Sequence, residues 1–131
     1  MSRRRFEVLK VPVTTTGADG SASGSANSEH PVNGKLFGVF LDYHGSAPAT
    51  TDVTITHTHA AAQTLLTLTD VNSDGWYFPR QQVHGNTGTG LTYDGTRVVA
   101  EPYPVVGKVT VNVAQANALT ACVTAWLYVE R

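Results

Sequence analysis

Residues 119–129 read Leu-Thr-Ala-Cys-Val-Thr-Ala-Trp-Leu-Tyr-Val. Leu119, Ala121, Val123, Ala125, Leu127 and Val129 share one parity; Thr120, Cys122, Thr124, Trp126 and Tyr128 share the other. Alternation sustained over this length is the mark of a β-strand with one face on a core. The run is therefore expected to be a long strand, interior to a sheet, that closes the domain. Cys122 falls on its less apolar face and reads as a structural residue. It is the only cysteine, which excludes an internal disulfide framework.

Moving upstream, the same period recurs. Val105, Val109, Val111 and Val113 lie in phase, with Gly107 interrupting as a bulge does. Leu91 to Tyr93 and Thr96 to Ala100 flank the Asp94-Gly95 pair as a hairpin would. Trp76 to Val83 is interrupted by Pro79, Leu65 to Thr69 ends in turn-forming Asp70, Asn72, Ser73, Asp74 and Gly75, and Asp52 to Thr58 alternates cleanly. Leu36 to Tyr43 is a mostly apolar strand. The first extended segment is Phe6 to Val13, where Pro12 points to an edge or a strand end. No convincing helix interrupts the series. About eight strands at roughly 8–14-residue spacing predict an all-β, antiparallel sandwich. The long connections favour a jelly-roll-like topology over an immunoglobulin-like one.

The organisation expected is one domain with an appendage. Residues 1–16 form an N-terminal arm or strand, 17–34 a Gly/Ser-rich flexible connection, and 35–131 the sandwich body. The stretch Gly17 to Ser28 is too poor in apolar groups to predict a packed element. A tether of this kind lets the arm pair with a neighbouring subunit; a plain surface loop is the other reading.

The 131 residues carry a formal net charge of −1 and only 15% charged side chains, below the roughly 25% of average globular chains. Such a balance gives no general pull toward nucleic acid or anionic membrane. The surface must be largely Thr, Ser, Asn, Gln and Gly, which suits close packing against protein or simply reflects a Thr-rich sheet. The start lacks the apolar run of a signal peptide, so synthesis and folding in a cytosol are expected. No apolar run reaches the roughly 20 residues of a membrane span.

Motifs for chemistry are sparse. His57-Thr58-His59 would put two imidazoles on one strand face about 6.5–7 Å apart, a spacing suited to a metal. No Glu follows at the distance that cupin metal sites use; His30, His44 and His84 are not brought near by the sequence. Two polar caps at a strand rim are the plainer reading. The Asp residues sit at turns, no Gly-x-Ser-x-Gly elbow occurs, and Gly88-Thr89-Gly90 lacks the Lys of a phosphate loop. No enzyme activity, cofactor or small-molecule substrate is expected. Arg3-Arg4-Arg5 is a compact cationic cluster beside Phe6. Asp74-Gly-Trp-Tyr-Phe-Pro-Arg80 concentrates Trp76, Tyr77, Phe78 and Arg80, the residue types of protein-interface hot spots. Arg3, Arg4, Arg5, Phe6, Trp76, Tyr77, Phe78 and Arg80 are the candidate interface. Trp76, Tyr77 and Tyr93 as a sugar-stacking platform form the alternative.

Leu66-Thr-Leu-Thr-Asp70, Asp74 to Arg80, the Gly-rich loop after them, and Gly107-Lys-Val-Thr-Val-Asn-Val-Ala114 resemble small structural proteins of tailed bacteriophages, most nearly capsid decoration (cement) proteins. The resemblance spans roughly Lys35 to Val129. It implies a non-enzymatic virion protein that binds the major capsid protein shell in many copies, often as a dimer or trimer with an extended arm. Location on the virion capsid surface, after synthesis in a host cytoplasm, follows from the same resemblance. A receptor- or carbohydrate-binding domain of a tail or fibre, or another head–tail structural protein, is the competing expectation.

Overall fold

A computed structural model describes residues 5–131. The closing strand forms where the alternation begins in earnest: β10 spans Val123–Glu130. Val123, Ala125, Leu127 and Val129 are buried, and Trp126 and Tyr128 lie on the opposite face, half-buried. The strand is interior, with β1 (Phe6–Val13) on one side and β3 (Gly34–Tyr43) on the other, both antiparallel. Ala121 adopts φ 49° and breaks the phase before the strand starts. This turn sends Cys122 into the core, fully buried, rather than onto the less apolar face.

The remaining strands are β2 (Ala22–Asn27), β4 (Asp52–His57), β5 (Thr64–Leu68), β6 (Gly75–Tyr77), β7 (Arg80–Gln82), β8 (Ala100–Val105) and β9 (Val109–Ala116). No helix occurs among the described residues. They form two antiparallel sheets packed as a sandwich. One runs β1-β10-β3-β8-β7, with β6 also on β3; the other runs β2-β9-β4-β5. Without the short β6 and β7, the orders β1-β10-β3-β8 and β2-β9-β4-β5 are those of a jelly roll. The two short strands are an insertion between β5 and β8. The core lies between the sheets, where Val11, Val13, Leu36, Val39, Leu41, Val53, Ile55, Val111 and Leu127 interdigitate.

Three expectations need correcting. The N-terminal segment from Phe6 is not a detached arm. β1 pairs with β10 of its own chain from Phe6↔Glu130 to Val13↔Val123, and Leu9, Val11 and Val13 are buried. Arg3 and Arg4 lie outside the described residues. The Gly/Ser-rich stretch is likewise no mere connection, because it holds β2, paired with β9. Its small residues are required sterically: a Cβ on Gly24 would collide with the carbonyl of Thr14. Finally, Gly107 marks a sheet change rather than a bulge. With φ +84° it turns the chain from β8 in one sheet to β9 in the other.

Pro79 divides the aromatic stretch into β6 and β7, so Trp76 and Arg80 lie on different strands. The hairpin expected at Asp94-Gly95 forms in a short version: Thr92 and Val98 make an antiparallel bridge, and Tyr93 N to Arg97 O and Val99 N to Leu91 O join its arms. Val83 N to Val99 O and Leu91 N to Val83 O tie it to the chain that leaves β7.

Candidate interaction surface

The outer face of the larger sheet is built by strand register. Where β10 meets its neighbours, Lys10, Trp126, Phe40 and Trp76 fall in one row across β1, β10, β3 and β6. The adjacent row holds Val8, Tyr128 and Gly38. Register slips between Tyr128 and Val129, where the partner moves from Gly38 to Leu36. Phe37 is the extra residue of this bulge and is exposed. A bulge re-aims a side chain, and here it adds a ring to a face that strict alternation would have denied it.

The rings are interlocked. Trp76 lies 5.0 Å from Tyr128, 5.1 Å from Phe40 and 6.1 Å from Phe78 between ring centroids; its plane is within 5° of Phe78. Phe6 meets Phe37 edge-on at 6.1 Å. Such separations are those of favourable aromatic pairs. Between Phe37, Trp76, Phe78 and Tyr128 runs an open groove of about 480 Å³ floored by Gly38. A Cβ on Gly38 would come 3.1 Å from the Phe78 ring, so glycine is what lets that ring lie down. A second hollow of about 400 Å³ continues over Phe40, Trp76, Trp126 and Tyr128.

Cations flank the rings. The Lys10 ammonium sits 5.2 Å from the Trp126 ring centre. The Arg80 guanidinium lies 5.4 Å from the Phe37 ring and 6.0 Å from that of Phe78. Its Nη1 donates to the carbonyls of Phe37 at 2.9 Å and Pro79 at 2.8 Å, satisfying the bulge carbonyl that the ladder leaves over. Arg80 therefore pins the bulge and lies against two of the rings that wall the groove.

Of the expected interface residues, Phe6, Trp76, Phe78 and Arg80 come together on this face. Tyr77 does not: alternation turns it to the opposite side, opposite Val39 and packed against the core. Arg5 is exposed at a corner, exchanging backbone hydrogen bonds with Arg131. The Glu7–Arg131 ion pair at 3.1 Å closes that corner. Phe37, Phe40, Trp126 and Tyr128 escaped the sequence reading of the interface. Their alternation was visible, but their meeting depends on β1, β10, β3 and β6 being neighbours. The sugar platform of Trp76, Tyr77 and Tyr93 is not assembled, since Tyr77 faces inward and Tyr93 stands on the projecting loop, 76% exposed.

The two histidines stay close but differ in burial. β4 ends at His57, which follows Val53 and Ile55 to the buried face, while His59 is exposed beyond the strand. The His59 Nδ1 accepts from the Ala61 amide. The ring centroids are 6.3 Å apart, but no cluster of three or more metal-binding side chains exists among the described residues. Burial pushes the Cys122 thiol above its ordinary range, with a weaker opposing pull from a Thr15 hydrogen bond. That is the opposite of what an activated nucleophile requires.

No protein-family model matches the chain, and no curated protein sequence matches it significantly. The reading of function rests on the face itself.

Proposed function

We propose that this chain is a non-enzymatic structural subunit of a virion: a decoration, or cement, protein that seats its aromatic sheet face on a shell of major capsid protein. The observation that carries the reading is the continuous ring surface on a rigid sheet. Phe6, Phe37, Trp76 and Phe78 are 66%, 42%, 52% and 55% exposed. Together they leave on the order of 400 Å² of apolar surface in water, the size of the largest apolar patch on a typical monomer, which is often a functional one. Covering it releases about 10 kcal/mol gross, of the same order as the cost of immobilising one protein on another. One copy therefore gains modest net affinity. Many copies on a repeating lattice, or a dimer or trimer engaging two sites, turn that into a stabilised shell through effective concentration.

The test is to mix purified protein with undecorated shells of the major capsid protein, sediment them, and count bound copies. Saturation at many copies per shell, with a raised shell melting temperature, is the expected result. Absence of co-sedimentation, or only a few copies per particle, removes the cement role. The near-parallel, exposed rings of Trp76 and Phe78 also favour a second reading, a carbohydrate- or receptor-binding β-domain. Binding to glycans, with none to shells, would select it.

A further inference from the structure

We propose that the groove over Gly38 takes an apolar side chain of the protein partner and that Arg80 binds a carboxylate adjoining that side chain. This deepens the reading of the ring face as a protein-docking surface and rests on it. The argument is one of charge complementarity. A guanidinium has five N–H donors. In Arg80, Nη1 is committed to the Phe37 and Pro79 carbonyls. No other hydrogen bond or ion pair of Arg80 exists among the described residues, which leaves Nε–H and both Nη2 protons. Nε and Nη2 form the parallel pair that takes a carboxylate in two bonds. The side chain is already immobilised by two carbonyls and two rings, so little rotamer entropy remains to be lost on binding. The rings of Phe37 and Phe78 wall the groove and also carry the guanidinium. Apolar anchor and carboxylate must therefore be neighbours on the partner.

Arg80 also holds the bulge, so the test needs a readout that a structural role would not move. The probes are N-acetyl-Phe-Glu-amide and N-acetyl-Phe-Gln-amide, which differ only in a carboxylate. They are titrated against the full chain while the Gly38 amide, Trp76 indole and Arg80 Nε–H resonances are followed by NMR. The expected result is about tenfold tighter binding of the Glu peptide, with the preference weakening as salt rises. Arg80→Gln, which removes the guanidinium fork and its charge, should abolish the preference; Arg80→Lys should keep part of it. Equal affinity for the two peptides, no perturbation of the groove by either, or a preference that survives Arg80→Gln overturns the proposal. Shell binding that is indifferent to Arg80→Gln overturns it while leaving the cement role standing. Peptide selectivity without shell binding does the reverse.

Discussion

At Gly107 the backbone passes through φ +84° between strands of different sheets, and its amide and carbonyl are both committed, to Asn33 Oδ1 and the Val32 amide. A Cβ there would stand 2.6 Å from the Thr58 Oγ1, which accepts the Lys108 amide. Gly107→Ala should therefore cost about 1–3 kcal/mol, read as a lowered urea midpoint; an unchanged midpoint would mean the turn relaxes freely. Tyr43 poses the opposite case. Its hydroxyl is sealed in the core with no hydrogen-bond partner among the described residues. Burial, reinforced by Tyr77 and Asp74, holds its pKa well above the ordinary 10.0. The folded state keeps the proton that the unfolded chain gives up, so stability is level below the ordinary values and falls as pH rises through them. Those values are 9.0 for Cys122 and 10.0 for Tyr43, both raised by folding. Tyr43→Phe removes an orphaned polar atom and should change neutral-pH stability by less than about 1 kcal/mol, while flattening the alkaline fall. Urea midpoints of both proteins across roughly pH 8 to 11 check it, and a parallel alkaline fall in the variant would refute the assignment to Tyr43.

Elements were legible in proportion to the apolar side chains they bury. β10 and β4 announce themselves because Val, Leu and Ile alternate with Thr or aromatic residues along them. β2 did not, because the small residues of its Ala-Ser-Gly-Ser-Ala-Asn sequence answer to close approach rather than burial: only Ala22 is buried, and Gly24 must pass the Thr14 carbonyl. β1 was recognised as a strand and misplaced as an arm, since periodicity reports a strand's faces and says nothing of which chain it pairs with. Its placement makes a prediction at the same scale. Leu9, Val11 and Val13 are buried beneath eight paired positions with β10. At about 1.5–3 kcal/mol for each such side chain, β1 contributes an amount comparable to a typical net stability of about 5–15 kcal/mol. A chain lacking residues 1–13 should fail to fold, seen as loss of the cooperative transition by circular dichroism. A truncated chain that melts cooperatively would restore the detachable arm.

At the scale of the molecule, the jelly-roll order is what turns scattered rings into one surface. Trp126 and Tyr128 come from β10, Phe37 and Phe40 from β3, Trp76 from β6 and Phe78 just after it. These positions are far apart in sequence and become neighbours only through the β1-β10-β3 path with β6 on its flank. The candidate Trp76-to-Arg80 segment was visible as composition, whereas the face it joins required the topology. If that face is the docking surface, Trp76→Ser combined with Phe78→Ser should weaken shell binding by at least about 30-fold, the loss expected from removing two interface anchors. Both side chains are about half exposed, so the fold should survive with its cooperative melt intact. Binding should also persist in high salt, because apolar burial is not screened as ion pairs are. The control is a separate exposed apolar feature, the loop carrying Leu91, Tyr93 and Val98. Leu91→Ser with Tyr93→Ser should leave shell binding unchanged. If the loop pair abolishes binding and the face pair does not, the molecule docks by its projecting tip, and the ring face belongs to contacts between copies of the chain, which light scattering of the face variant would then show as a loss of oligomer.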